Sequence, residues 1–327
     1  MVAEVMDAVR HEPVSAATAP VVAVDRLAIT LQRRGESVRL VDDVSLQVAP
    51  GETLGIVGES GSGKSLTLRA LLGILPAAAH ASGEIRHPGG RAGSAMVFQE
   101  PLLALNPTMR VGDFIGEVVG DRVAGRAARR ARVRELMISV GIPEPDRRAR
   151  MWPHELSGGL RQRVMIAAAL ATEPDLLLCD EPTTALDVTV QAQILALLSR
   201  LAQERRMAMI FVSHDLSVVA QVSDRIAVMY AGRIVEQGPA DDILGAPTHP
   251  YTAALLAATP SAAPPGERLR PIPGAPPDPA GYVNGCRFQA RCSLAQPDCA
   301  TAPHQLRPVA ASLSACIHPD AVTGGDV

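Results

Sequence analysis

"GIVGESGSGKSLTLRALLGIL", residues 55–75, has the spacing of a phosphate-binding loop between a strand and a helix. An apolar strand ending at Val57 runs into Gly58; after four more residues come Gly63, Lys64 and Ser65, and a helical pattern continues to Gly73 and Pro76. In such a loop, backbone N–H groups wrap phosphate oxygens, the lysine reaches the terminal phosphates and the serine hydroxyl coordinates magnesium. That reading assigns Gly58, Ser60, Gly61, Ser62, Gly63, Lys64, Ser65 and Thr67 to phosphate, with glycines needed because a Cβ would block its approach. A chance glycine-rich turn would not have a strand before it and a helix after it.

A second motif, "LLLCDEP" at residues 176–182, is an apolar strand that delivers Asp180 at its C-terminal edge. Ligands of parallel sheets collect at that edge. Asp180 can hold the magnesium there, and Glu181 can polarise an attacking water. Cys179 is a small apolar core residue. Around these motifs, Thr53–Val57, Ala95–Phe98, Leu176–Cys179, Met209–Val212 and Ile226–Met229 alternate with helical patterns. The alternation predicts an α/β domain of the phosphate-loop NTPase kind, with a largely parallel, buried sheet. Strand-like runs are missing after Glu100, which predicts a helical insertion over about 100–170. Pro, Ala and Gly dominate Thr259–Pro279, an irregular linker. The expected layout is a flexible tail at 1–20, a phosphate-loop NTPase domain at 21–245 and a small irregular extension at 246–327.

The chain has 327 residues, 47% hydrophobic and 20% charged, so it can bury a sizeable core. A formal net charge of −3 gives no reason to expect nucleic acid as a partner. The arginines between Arg122 and Arg134 lack interleaved aromatics and read as a solvated helix face. No apolar run approaches the roughly 18 residues that span a bilayer, and residues 1–20 lack the apolar core of a signal peptide. A cytosolic location is expected, where five cysteines would stay reduced.

"HELSGGLRQRVMIAAALA", residues 154–171, reads as a helix that begins Ser157, Gly158, Gly159. Ser157 is a good N-cap, and the bare glycine backbone would leave the first N–H groups open to an anion. A second anion-binding helix start, so far from the phosphate loop, needs an explanation.

The motifs in order, phosphate loop, "FQEP", "LSGGLRQR", "LLLCDEPTTALD" and "FVSHDL", resemble the nucleotide-binding subunit of an ATP-binding cassette (ABC) transporter over about Val21–Gly238. The resemblance explains the glycines: Ser157, Gly158 and Gly159 would cap the γ-phosphate of ATP held by a second cassette subunit, identical or paralogous. It also implies that Gln99 contacts magnesium or the attacking water, with Ser65 and Asp180 as the other magnesium ligands. Asp187 would reach across to the partner's site, His214 would bond the γ-phosphate, and Glu181 would be the base. Two departures stand out. Residue 160 is Leu where the family often has Gln or Met, and no aromatic precedes Phe98 to stack on adenine. In the resemblance Leu31 falls at that place, so apolar contact or an arginine such as Arg33 or Arg39 would hold the base instead.

"THPYTAALLAATP", "RPIPGAPPDP", "GCRFQARC" and "FQEPLLALNP" resemble the oligopeptide, dipeptide and nickel importer branch. That implies transmembrane permease subunits, met by the loop after Gln99, an extracytoplasmic solute-binding protein, and a peripheral position on the cytoplasmic face of the membrane. Cys286, Cys292, Cys299 and Cys316, spaced x5, x6 and x16, lack the close pairs of structural zinc. Four thiolates on a loop can hold a [4Fe-4S] cluster, as the branch implies, with zinc as the alternative. This segment is expected to stand apart from the ATP site. A soluble, non-transport cassette ATPase acting on chromosomes, ribosomes or iron-sulfur assembly, and a small-molecule kinase, remain as rival readings.

Overall fold

The computed structural model describes residues 19–33, 36–87, 93–184, 186–259 and 271–323. The first eighteen residues of the expected tail and residues 260–270 of the expected linker lie outside this set.

Five short strands form the parallel core: β3 (Thr53–Val57), β5 (Ser94–Val97), β6 (Leu176–Asp180), β7 (Ala208–Ser213) and β8 (Arg225–Tyr230). They follow β1 (Val22–Arg33), β2 (Glu36–Val48) and, between β3 and β5, β4 (Ala79–Arg86). β3 lies between β7 and β8, and β6 joins β7 to β5, all parallel. Every residue of β3, β6 and β7 is buried, as strands covered on both faces require. β6 shows the two faces: Leu176 and Leu178 enter one apolar cluster, and Leu177 and Cys179 the other.

The first cluster packs under an antiparallel sheet, order β2-β1-β4, and under α1 (Lys64–Leu72). The second packs under helices. Between β5 and β6 lie α2 (Pro101–Ala104), α3 (Val111–Val119), α4 (Arg126–Ser139), α5 (Pro145–Arg148) and α6 (Gly158–Leu170). α7 (Val188–Arg205) and α8 (Leu216–Ala220) complete that layer.

Antiparallel strands close the other edge. β9 (Arg233–Pro239) pairs with β8, and the short hairpin β10 (Arg307–Val309) and β11 (Ser312–Ser314) pairs onto β9 through Leu313↔Gln237 and Ser314↔Glu236. The last part of the chain thus extends the main sheet. α9 (Ala240–Gly245) and α10 (Pro250–Ala257) precede residues 271–278, which have no regular structure. No helix among the described residues is long and apolar enough to cross a membrane.

Candidate functional site: a phosphate loop facing two acids

β3 ends at the loop and α1 starts at Lys64, so the first N–H groups of α1 point at the loop's concave side. Lys64 is buried, and its Nζ donates to the carbonyls of Gly58 at 2.7 Å and Glu59 at 2.9 Å. That leaves one of three ammonium donors for a ligand. Burial pulls the Lys64 pKa down, while Glu181, Asp180 and Glu59 push it back up. Ser65 Oγ donates to Asp180 Oδ1 at 2.7 Å, bringing together the two oxygens expected to share a magnesium ion. Burial raises the Asp180 pKa against that bond.

The glycines differ in what they serve. A Cβ at Gly58 would sit 2.0 Å from the carbonyl oxygen of Met229, so the crossing of β8 alone requires a glycine there. Gly61 meets nothing within 4 Å and faces open space. Thr67 departs from its assignment: it is fully buried, its hydroxyl donating to the Gly63 carbonyl at 3.1 Å. It braces the loop from beneath.

Glu181 follows β6 with φ of 46°, a left-handed backbone that costs a non-glycine residue about 1 kcal/mol or more and that gathers at functional sites. Its Oε2 collects Gln99 Nε2 at 3.3 Å, Thr184 Oγ1 at 3.0 Å and His214 Nδ1 at 3.1 Å. The chain therefore assembles Gln99, Glu181 and His214, from three separate motifs, around one carboxylate oxygen. Thr184 was not singled out by the sequence, although it stands three residues after Glu181.

Ser157 occupies the N-cap of α6, but its side chain makes no capping bond. The hydroxyl is left exposed beside Gly158 and the first amides of the helix. Gly159 is required by its own chain, since a Cβ there would come within 2.5 Å of Val190 Cγ1. Asp187 is exposed and caps α7, Oδ1 accepting from the Val190 N–H at 2.9 Å. For adenine, Leu31 packs against the core, the Arg33 side chain lies outside the described residues, and Arg39 donates to Asp42 at 2.9 Å.

A groove of about 830 Å³ lies away from these motifs, on the helical insertion between α3, α4 and α5. Arg126, Arg129, Arg130 and Arg134 line it with Asp113 and Glu117, so part of the arginine stretch faces a groove as well as solvent.

Cys286, Cys292, Cys299 and Cys316 line one small cavity, and all are free thiols. Burial raises the pKa of Cys286, Cys292 and Cys316, the last to about 11, with neighbouring thiols adding to it. Among the described residues, the trio of potential metal-ligand atoms within 4.8 Å of one another is Asp298, Cys299 and His318. The expectation that this segment stands apart from the ATP site is wrong. Arg291, between Cys286 and Cys292, pairs with Glu59 of the phosphate loop at 2.6 Å. Charges far apart in sequence meet only after folding, so no spacing signalled the pair.

The chain matches the ABC transporter family over residues 41–184 and the oligopeptide/dipeptide transporter C-terminal region over residues 235–299. It is 47% identical over 323 residues to the oligopeptide transport ATP-binding protein OppD of Mycobacterium tuberculosis, covering 93% of this chain and 53% of that protein. This chain thus spans about half the length of that relative. Identity is 44% to OppD of Escherichia coli, over 90% of this chain and 91% of that one, and 44% to the dipeptide transport ATP-binding protein DppD of Bacillus subtilis, over 83% and 86%. Among solved structures, a dimeric ATP-binding cassette in a post-hydrolysis state bound to ADP and Pi is 28% identical, with a TM-score of 0.59 over 67% of this chain and 98% of that one. Cassette cbiO1 of Clostridium perfringens is 26% identical, with a TM-score of 0.59 over 68% and 90%. With the phosphate loop, the acids after β6 and a match to the oligopeptide/dipeptide transporter C-terminal region all in place, the chain belongs to the ABC transporter family.

Proposed function

We propose that the chain binds and hydrolyses ATP to energise uptake of peptides or a related small solute through a membrane permease. The observation that carries this is the convergence of Gln99, Thr184 and His214 on the Glu181 carboxylate, beside the Lys64, Ser65 and Asp180 cluster. Glu181 accepts the proton of the attacking water. His214 and Gln99 orient that carboxylate, and Lys64 meets the terminal phosphates. Bound magnesium would neutralise phosphate charge, held by the Ser65 hydroxyl, the Asp180 carboxylate and the Gln99 amide oxygen, all hard oxygen donors. Ser157, Gly158 and Gly159 serve the ATP of a second cassette subunit, their exposed hydroxyl and amides left open for it, and Asp187 reaches toward the same site.

Residues 21–245 carry this ATPase, and residues 246–327 the extension. Phe98, Leu102 and Leu103, which are 36%, 53% and 81% exposed, form an apolar face after β5 that suits contact with permease subunits. The protein would then sit peripherally on the cytoplasmic face of the membrane, with an extracytoplasmic binding protein delivering the solute. The "HPYT" and "PIPG" segments and the peptide-transport relatives disfavour a soluble non-transport ATPase. Purification from native membranes tests this: permease subunits should copurify, and copurification with ribosomes or DNA alone would overturn it.

For the cysteines we favour a [4Fe-4S] cluster. All four line one cavity, the arrangement that four thiolate ligands of one cluster need. Zinc is favoured by a different set, Asp298, Cys299 and His318. Anaerobic protein should carry about four irons per chain and bleach on oxidation. Stoichiometric zinc that is lost in His318→Ala but kept in Cys292→Ser would replace the cluster with the Asp298 site.

A further inference from the structure

Glu59, second residue of the phosphate loop, has its polar groups held from several sides. Arg291 sends Nη1 to Oε2 at 2.6 Å and Nη2 to Oε1 at 3.0 Å, a two-pronged ion pair whose side chains are 5% and 26% exposed. The fork is itself aimed: Nε donates to the Pro273 carbonyl at 2.8 Å, and Nη1 also reaches Tyr230 Oη at 3.3 Å. Such planar, paired bonds are strong and directional. The Glu59 N–H donates to Tyr251 Oη at 2.9 Å, and the Glu59 carbonyl accepts from Lys64. Tyr251 is fully buried, its ring 4.5 Å from that of Tyr230 and 5.3 Å from that of Phe288. Arg291 sits in a single turn, Gln289–Arg291, pinned by bonds from Arg291 N to Phe288 O and from Cys292 N to Gln289 O.

We infer that Arg291 and Tyr251, both from the C-terminal extension, are positioning residues for the phosphate loop. They fix Glu59 by its carboxylate and amide, and Glu59 in turn fixes Lys64 by its carbonyl. A loop already held in shape loses less entropy when it closes on a ligand, so the extension raises affinity for MgATP without touching it. The inference rests on the ATPase reading above and is independent of what the cysteines bind.

The test uses the full chain assembled with its partner subunits, with Arg291→Met, Arg291→Lys, Tyr251→Phe and Glu59→Gln. Three quantities are measured: the Kd for MgATP, KM and kcat for hydrolysis, and the thermal midpoint. Arg291→Met should raise Kd and KM about tenfold with kcat within about threefold, and Tyr251→Phe about threefold, as loss of charge-assisted and neutral bonds implies. Arg291→Lys should fall between parent and Met. Arg291→Met combined with Glu59→Gln should be no weaker than the worse single variant, because both break one contact. A merely structural arginine would lower the thermal midpoint and leave KM unchanged. Kd and KM within twofold of parent in Arg291→Lys and Tyr251→Phe, or additive effects in the double variant, would overturn the inference. Those two mild variants carry the test if Arg291→Met does not fold. A parent chain that fails to bind MgATP would instead overturn the ATPase reading itself.

Discussion

Glu181, from a left-handed backbone, gathers Gln99, Thr184 and His214 on one carboxylate oxygen, and we propose it as the base. Glu181→Gln keeps the size and loses the base. Hydrolysis should fall at least about a hundredfold, the scale of general-base catalysis, while equilibrium binding still shows MgATP bound. Full residual turnover would reject the assignment. Lys64→Ala removes the buried charge proposed to meet phosphate, so the Kd for MgATP should rise about ten- to a hundredfold by direct titration. Residues such as Lys64, Ser65 and Asp180 were legible in the sequence because their chemistry depends on local spacing. Arg291 and Tyr251 were not, since each acts on a residue that only the fold brings near, and Thr184, though three residues from Glu181, is aimed at it by the backbone turn after β6. Thr67 misled for the opposite reason: a hydroxyl next to the loop in sequence points beneath it in space.

At the level of elements, the start of α6 packs against α7 through Gly159 and Val190. Gly159→Ala should cost about 1–3 kcal/mol of stability through overpacking, read as a lower thermal midpoint. Val190→Ala in the same chain should restore the midpoint, and hydrolysis in the assembled complex should stay impaired if the helix start also meets a partner's ATP. On β2, Asp42 joins Arg233 at 2.8 Å and Arg287 at 2.6 Å. Burial raises its pKa, and the bonds from Arg39 and Arg233 with the charges of Arg233 and Arg287 more than reverse this. Asp42→Asn leaves two poorly exposed guanidiniums facing each other and should destabilise the fold by about 3–5 kcal/mol in chemical denaturation. The parallel strands were readable because burial on both faces demands continuous Val, Ile and Leu. β10 and β11 were not, being three residues long, with the pairing of β11 to β9 and of β10 to β11 as their reason to be strands.

Across the whole molecule, the extension is part of the ATPase body: it completes the sheet, pairs with Asp42 and grips the phosphate loop. Its acid sensitivity follows from two histidines. Burial, with His304 nearby, lowers the His249 pKa to about 3, and burial with the Arg233 and Arg287 charges lowers that of His304 to about 4. An unfolded chain binds those protons near pH 6.5 and the folded one does not, so stability is full above about pH 6.5 and falls as pH drops toward 4. The thermal midpoint should therefore decline over that window in the parent, and less steeply in His304→Gln. If the cysteines hold a cluster, Cys292→Ser should also weaken MgATP binding through the Arg291 turn.

Accumulation of a labelled oligopeptide in proteoliposomes tests whether this chain's hydrolysis drives peptide uptake. These would contain the assembled permease, the binding protein and either the parent chain or Glu181→Gln. Uptake should require ATP, accompany peptide-stimulated hydrolysis in the parent, and vanish in Glu181→Gln although that variant still binds MgATP. Hydrolysis in the parent that no peptide stimulates, with no peptide accumulating, would contradict it.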